Sequence, residues 1–207
     1  MKIKVCGMRD PSNIEDLVKL KPDYIGFIFY PKSKRFFGEL IPDKIHSLIP
    51  DYIQKIGVFV DESIDNLVEM IEKNKLDMVQ LHGSELPDYC EKLKKLDIRV
   101  IKAFNINSSF DFDIVNPYNP VCDYYLFDTA SDLRGGSGKK FDWNKLDQFN
   151  EEKPFFLSGG IQSTDTDQLK KIIHNKLFAI DVNSGFEIEP GVKDVLKLKS
   201  FIDTLRK

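Results

Sequence analysis

Residues 55–82 read KIGVFVDESIDNLVEMIEKNKLDMVQLH, and this stretch decides the fold. Lys55–Val60 and Met78–His82 are strand-length and almost continuously apolar, the pattern of strands covered on both faces, which favours parallel pairing. Between them Ser63 stands where a helix cap belongs, and Leu67, Met70 and Ile71 follow on one helical face. The stretch is therefore one strand-helix-strand unit.

The same unit recurs on either side. Strand signals fall at Lys2–Cys6, Tyr24–Phe29, Arg99–Phe104, Tyr124–Asp128, Pro154–Ser158 and Phe178–Asn183, which with the two above makes eight, starting about 20 to 30 residues apart. Helical patterns lie between them. Pro11-Ser12-Asn13 opens a face of Ile14, Leu17, Val18 and Leu20, and Leu86-Pro87-Asp88 precedes Tyr89, Leu93 and Leu96. Ser163 or Thr164 precedes Leu169, Ile172 and Ile173, and Val192 to Leu205 reads as a closing amphipathic helix. The segment from Ser108 to Pro120, with two prolines and much Asn and Asp, is a poor helix. Eight such repeats in 207 residues fit a single-domain (β/α)₈ TIM barrel of eight parallel strands spanning 1–207. A doubly wound open sheet is the alternative, but its glycine-rich dinucleotide turn is absent from Cys6-Gly7-Met8-Arg9-Asp10.

Composition narrows the partners. Thirty Lys and Arg against 33 Asp and Glu give a net charge of −3, so no global positive field draws in nucleic acid or anionic lipid. No run of eighteen apolar residues is present, and Met1-Lys2-Ile3-Lys4-Val5 starts in strand-like alternation without a signal-peptide core, which makes a cytoplasmic address the expectation. Three widely spaced cysteines, Cys6, Cys90 and Cys122, suggest neither a disulfide framework nor zinc.

In such a barrel the site lies at the carboxyl ends of the strands. Those positions carry Cys6, Asp61, His82, Lys102, Asp128, Ser158-Gly159-Gly160 and Asp181-Val182-Asn183-Ser184-Gly185, with Arg35 on the second loop. Gly159-Gly160 and Ser184-Gly185 follow the seventh and eighth strands, where backbone N–H groups can meet a phosphate; simple turn glycines are the competing reading. Gly135-Gly136-Ser137-Gly138-Lys139-Lys140 matches no nucleotide fingerprint and reads as a mobile or plain surface loop. A lone Cys6 is more often a small hydrophobe than a nucleophile or base. Asp128, closing the apolar run Tyr124-Tyr125-Leu126-Phe127, needs a partner or a function. Arg35 beside Phe36-Phe37 is either a solvated cation or a planar fork for a carboxylate, and His82 either a proton donor or a structural ring.

Together these strings carry a resemblance. Lys4-Val5-Cys6-Gly7-Met8-Arg9, Gly26-Phe27-Ile28-Phe29-Tyr30-Pro31 with Ser33 and Arg35, Val58-Phe59-Val60 and Val79-Gln80-Leu81-His82-Gly83 resemble the phosphoribosylanthranilate isomerase family of tryptophan biosynthesis. So do Asp128-Thr129 with the Gly135 to Lys139 loop, Leu157-Ser158-Gly159-Gly160-Ile161, Asp181-Val182-Asn183-Ser184-Gly185-Phe186-Glu187, and Pro190-Gly191 with Lys193-Asp194. The match runs from Lys4 to Asp194. One departure is Gln162-Ser163-Thr164-Asp165, where the family usually carries an Asn; a carboxylate turned inward there would repel a phosphate.

The resemblance implies an Amadori rearrangement of an aminoaldose to an aminoketose. It implies Asp128 as general acid, Cys6 as general base, and Arg35, His82, Gly159, Gly160, Asp181, Ser184 and Gly185 as substrate-binding residues. It further implies a phosphorylated small-molecule substrate, no cofactor, no metal, no nucleic acid or membrane partner, and a monomer or homodimer. An acid held protonated near neutral pH and a thiol whose surroundings favour the anion, or tolerate a small active fraction, are the matching physical requirements. Indole-glycerol-phosphate synthase and the aminoaldose isomerase of histidine biosynthesis are neighbouring readings; the first needs a Lys and Glu pair, the second an Asp where Cys6 stands. A catalytically silent phosphate binder or an interaction protein that kept the barrel is the reading from another class.

Overall fold

The computed structural model describes residues 1–129, 140–172 and 174–207. Eight parallel strands close into a barrel in chain order: β1 Lys2–Cys6, β2 Tyr24–Ile28, β3 Gln54–Phe59, β4 Met78–Leu81, β5 Val100–Ile106, β6 Tyr124–Thr129, β7 Phe155–Leu157 and β8 Leu177–Val182, with β8 pairing back onto β1. Each expected strand is present, displaced by at most a residue or two at its ends. The expected loop at Gly135 to Lys139 and the helical position of Ile173 lie outside the described residues.

Alternation within the strands sorts the side chains onto two surfaces. Tyr24, Ile56, Met78, Ile101, Ala103, Leu126, Phe156 and Ala179 fill the barrel interior as one apolar cluster. Their neighbours along the strands, among them Ile3, Val5, Ile25, Phe27, Val79, Tyr125, Phe127 and Ile180, face outward into the larger core beneath the helices. Strands apolar on both faces are what the near-continuous runs encode.

The crossovers are uneven. α1 Pro11–Val18 starts at Asp10, whose carboxylate accepts from the Asn13 amide at 2.7 Å, and has Pro11 at its first position. α2 Asp43–Leu48, a short helix behind Pro42, was not expected. α3 Ile64–Lys73 is capped by Ser63, and α4 Pro87–Lys95 begins at its proline. Two later crossovers are only 3₁₀ turns, Phe112–Tyr118 and Trp143–Gln148. There large rings replace a helix as cover: Phe127 on the outer face of β6 packs against Phe112, Phe149 and Phe155 at centroid distances of 5.0–5.3 Å. Ser163–Asp165 is a 3₁₀ turn leading into α5 Thr166–Lys171. The closing helix, expected from Val192, is α6 Val195–Leu205. Glu187–Glu189 (β9) and Val192–Lys193 (β10) instead form a small antiparallel hairpin, and Asp194 caps α6 by accepting from Lys197 N at 2.9 Å. Among the described residues no helix is long and apolar enough to cross a membrane.

Candidate active site

The inward side chains at the carboxyl ends of the strands form a polar layer above the apolar interior. β1 contributes Lys4 and Cys6, and the register sets Cys6 opposite Gly26 of β2. A side chain at Gly26 would begin 2.7 Å from Cys6 Sγ, so a glycine in mid-strand is what leaves room for the thiol. β4 contributes Gln80 and, just past its end, His82; β6 contributes Asp128, and β8 Asp181.

Lys4 is fully buried and sits at the middle of this layer. Its ammonium donates to both oxygens of Asp181 at 3.0 Å and to Gln80 Oε1 at 2.8 Å. Burial alone would pull its pKa down, but Asp181 and the nearby Cys6 hold it above the ordinary lysine value. Ser158 Oγ adds a long bond, 3.4 Å, to Asp181 Oδ2. Asp181, expected among the substrate-binding residues, thus has both its oxygens on Lys4.

Cys6 and Asp128 are both shifted upward by burial. Burial raises the Cys6 thiol above its usual value, while the Lys4 and Lys193 ammonium groups act the other way. Of the two expected arrangements, surroundings that favour the anion or tolerance of a small active fraction, the balance falls on the second, since desolvation outweighs the cations. Asp128 is lifted to about 6 by burial, against the pull of its bond from Thr129 N at 2.7 Å and of the Lys4 charge. His82 Nε2 lies 3.5 Å from Asp128 Oδ2, and His82 Nδ1 is 2.7 Å from Gln80 Nε2. Burial, then the charges of Lys4 and Lys102, hold the ring down to about 4, so His82 is neutral at pH 7 and is no proton donor of the imidazolium kind.

Arg35 reaches the mouth of the barrel but is already engaged. Its Nε meets Glu187 Oε1 at 2.8 Å and its Nη2 meets Oε2 at 2.6 Å. Lys193 Nζ joins the same carboxylate at 2.7 Å and Asn183 Oδ1 at 2.6 Å. Among the described residues the Nη1 end of the fork has no protein partner, so Glu187 fixes the plane of the guanidinium and leaves one edge of it free.

Two loops frame the other side. Gly159 and Gly160 have φ of +93° and +65°, and Ser184–Phe186 forms a 3₁₀ turn whose first N–H groups have no partner within the turn. The loops touch: a Cβ on Gly185 would lie 2.1 Å from Ile161 O. Both carboxylate oxygens of Asp165 are engaged within the protein. It accepts from Gln162 N at 2.7 Å and pairs with Lys140, so the carboxylate that departs from the family's pattern is neutralised by a lysine. Among the described residues no group of three or more His, Cys, Asp and Glu stands close enough to hold a metal ion.

Lys102, read as a rim residue, is outside the barrel. It is buried against Glu85 at 2.8 Å and Gly83 O at 2.8 Å, and Glu85 in turn accepts from Asp61 N at 2.8 Å, tying the third and fourth loops together. Lys4, Gln80, Glu187 and Lys193 were not singled out from the sequence, although all four stand inside the strings quoted above. The signal that finds Lys4 and Gln80 is parity: each occupies an inward position one alternation below Cys6 or His82.

Residues 3–204 match the family described as N-(5'phosphoribosyl)anthranilate (PRA) isomerase. An N-(5'-phosphoribosyl)anthranilate isomerase of Parabacteroides distasonis is 45% identical over 207 residues, covering 99% of this chain and 93% of the relative. A solved phosphoribosyl anthranilate isomerase in complex with reduced 1-(o-carboxyphenylamino)-1-deoxyribulose 5-phosphate superposes with a TM-score of 0.84 at 30% identity, covering 100% of this chain and 98% of that one. Mutually generated monomers of the dimeric enzyme from Thermotoga maritima give the same TM-score, identity and coverage.

Proposed function

The chain belongs to the N-(5'-phosphoribosyl)anthranilate isomerase family, and from that premise we propose that Cys6 and Asp128 perform its acid/base chemistry. The activity is the conversion of N-(5-phosphoribosyl)anthranilate to 1-(2-carboxyphenylamino)-1-deoxyribulose 5-phosphate in tryptophan biosynthesis. It is an internal redox exchange between C1 and C2 of the sugar, so the substrate supplies both the oxidised and the reduced carbon.

Asp128 gives its proton to the furanose ring oxygen. The C1–O bond breaks, its electron pair stays on that oxygen, and the nitrogen lone pair forms an iminium at C1. Cys6 thiolate then takes the C2 proton; the C2–H pair becomes the C1–C2 double bond, and the iminium electrons return to nitrogen. The resulting enolamine gains a proton at C1 and loses one from the C2 hydroxyl, which makes the ketone. Acid and base are restored with no net proton taken from water.

The observation that carries this reading is the convergence of the inward Cys6 at the end of β1 and the inward Asp128 near the end of β6 on one mouth, with burial shifting both groups upward. With the thiol above its ordinary value of about 8.5 and Asp128 at about 6, the prevailing form at neutral pH is thiol plus carboxylate. The productive form, thiolate plus carboxylic acid, holds the same number of protons with one of them moved. It is the minor form. The Lys4 and Lys193 ammoniums beside Cys6 keep that fraction from falling further. Such a rearranged pair needs no outside proton to start, and each member contributes on the order of 10²- to 10⁴-fold in rate.

Binding follows from the rest of the site. The free edge of the Arg35 fork takes the anthranilate carboxylate, with Glu187 holding its plane. Backbone N–H groups around Gly159-Gly160 and Ser184-Gly185, with the Ser184 hydroxyl, take the phosphate. His82 borders the sugar beside Asp128, and Asp181 serves the substrate through Lys4. The phosphorylated sugar is the partner, the whole chain acts as one barrel domain, and a monomer already contains every residue named. The test is emission from freshly made phosphoribosylanthranilate after adding purified protein. Fluorescence is expected to fall at a rate linear in protein, with the aminoketose as sole product. A steady signal, or release of free anthranilate, would contradict the assignment.

A further inference from the structure

The polar side chains inside the barrel form a chain with a direction. An ammonium can only donate, so the Gln80 atom 2.8 Å from Lys4 Nζ is the amide oxygen. That places the amide NH₂ at the other end, 2.7 Å from His82 Nδ1, where it donates. A ring nitrogen that accepts bears no hydrogen. The neutral imidazole therefore carries its hydrogen on Nε2, the atom 3.5 Å from Asp128 Oδ2. Asp181 makes the direction firm, because its two oxygens at 3.0 Å hold the ammonium in place, and a reversed Gln80 would set its NH₂ against that buried cation.

We propose that Lys4 and Gln80 are positioning residues that lock His82 in its Nε2–H tautomer, so that the ring turns an N–H edge toward Asp128 and cannot take its proton. The inference rests on the reading of Asp128 as the acid. In the opposite tautomer a bare imidazole nitrogen would face the carboxyl group. That nitrogen would compete with the furanose oxygen for the Asp128 hydrogen, and would set lone pair against lone pair once Asp128 is ionised. In the locked tautomer that competition is absent. The proton leaves Oδ2 only for the ring oxygen, and the carboxylate left behind faces the positive end of the Nε2–H dipole, 3.5 Å away, as its charge develops. Lys4 on β1, and Gln80 and His82 on and just past β4, thus reach the chemistry in sequence across the barrel interior, each through the next.

The chain has three histidines, His46, His82 and His174, so protein labelled with ¹⁵N-histidine gives three ring patterns, and the one absent from His82→Gln identifies His82. Wild type at pH 7 is expected to show Nε2 protonated and Nδ1 bare. Gln80→Glu keeps the shape and the bond to Lys4 but offers His82 only acceptors. The hydrogen is then expected on Nδ1, with kcat lowered on the order of 10- to 100-fold and KM within about twofold. Lys4→Met, which frees the amide to turn, is expected to mix the two tautomers and lower kcat, and serves if the glutamate variant fails to fold. An Nδ1–H pattern in wild type would overturn the proposal. So would a Gln80→Glu protein with the hydrogen moved and kcat unchanged. Normal kcat in Asp128→Asn would instead remove the acid itself, a failure visible without reference to the tautomer.

Discussion

Asp128 is a cost to the fold. A carboxyl whose folded pKa, about 6, stands above its unfolded value of about 3.9 binds its proton more tightly in the folded state. Its contribution is therefore favourable below pH 4 and is lost as pH rises through 6; above that, the ionised group opposes folding by about 2–3 kcal/mol. Asp128→Asn cannot ionise, so it is expected to unfold in more urea than wild type at pH 8, by about 2 kcal/mol of stability, and to differ little at pH 4. Loss of stability at pH 8 would show that the Thr129 N–H and Lys4 outweigh burial. The residues that bear this strain were legible because Cys6 and Asp128 interrupt apolar runs at strand ends. Lys4 and Gln80 were not. Lys2-Ile3-Lys4-Val5 reads as a strand with one wet face, and only closure of the barrel turns that face into an interior where a lysine must find Asp181 and Gln80.

Among the elements, the strands were readable and the crossovers only partly so. Eight apolar runs gave eight strands; the capped helices α1 and α3 begin where Asp10 and Ser63 place them, and α4 begins at Pro87 without a side-chain cap. α2 has only Ile45 buried and no side-chain cap, too little pattern to detect. The turns at Phe112–Tyr118 and Trp143–Gln148 escape a helical reading because rings, not a helical stripe, cover β6. The glycines after β7 and β8 stood out as a pair, but their contact did not. Gly185 lets the two loops meet at Ile161 O, so Gly185→Ala is expected to push them apart. Inhibition by inorganic phosphate should then weaken on the order of tenfold, the size of a lost hydrogen bond to a charged group. Unchanged inhibition, with the fold verified by circular dichroism, would move the phosphate away from these loops.

At the scale of the molecule, one closed sheet brings residues from opposite ends of the chain into a single mouth. Lys4 and Asp181 meet across the β1–β8 seam, and Glu187 on the hairpin beyond β8 fixes Arg35 on the second loop. The order of the motifs made that convergence readable, since each fell at the end of a successive strand. The ionic wiring beneath it depends on inward parity and on closure, which no single motif contains. The central claim is that Cys6 and Asp128 are the base and the acid of this mouth. Steady-state turnover of phosphoribosylanthranilate by Cys6→Ala and Asp128→Asn tests it most directly. In each, kcat is expected to fall on the order of 10²- to 10⁴-fold with KM within a few fold of wild type, because an interaction made only in the transition state is removed. A kcat close to wild type in either variant, with the loss appearing in KM, would contradict the claim and make that residue a binding group.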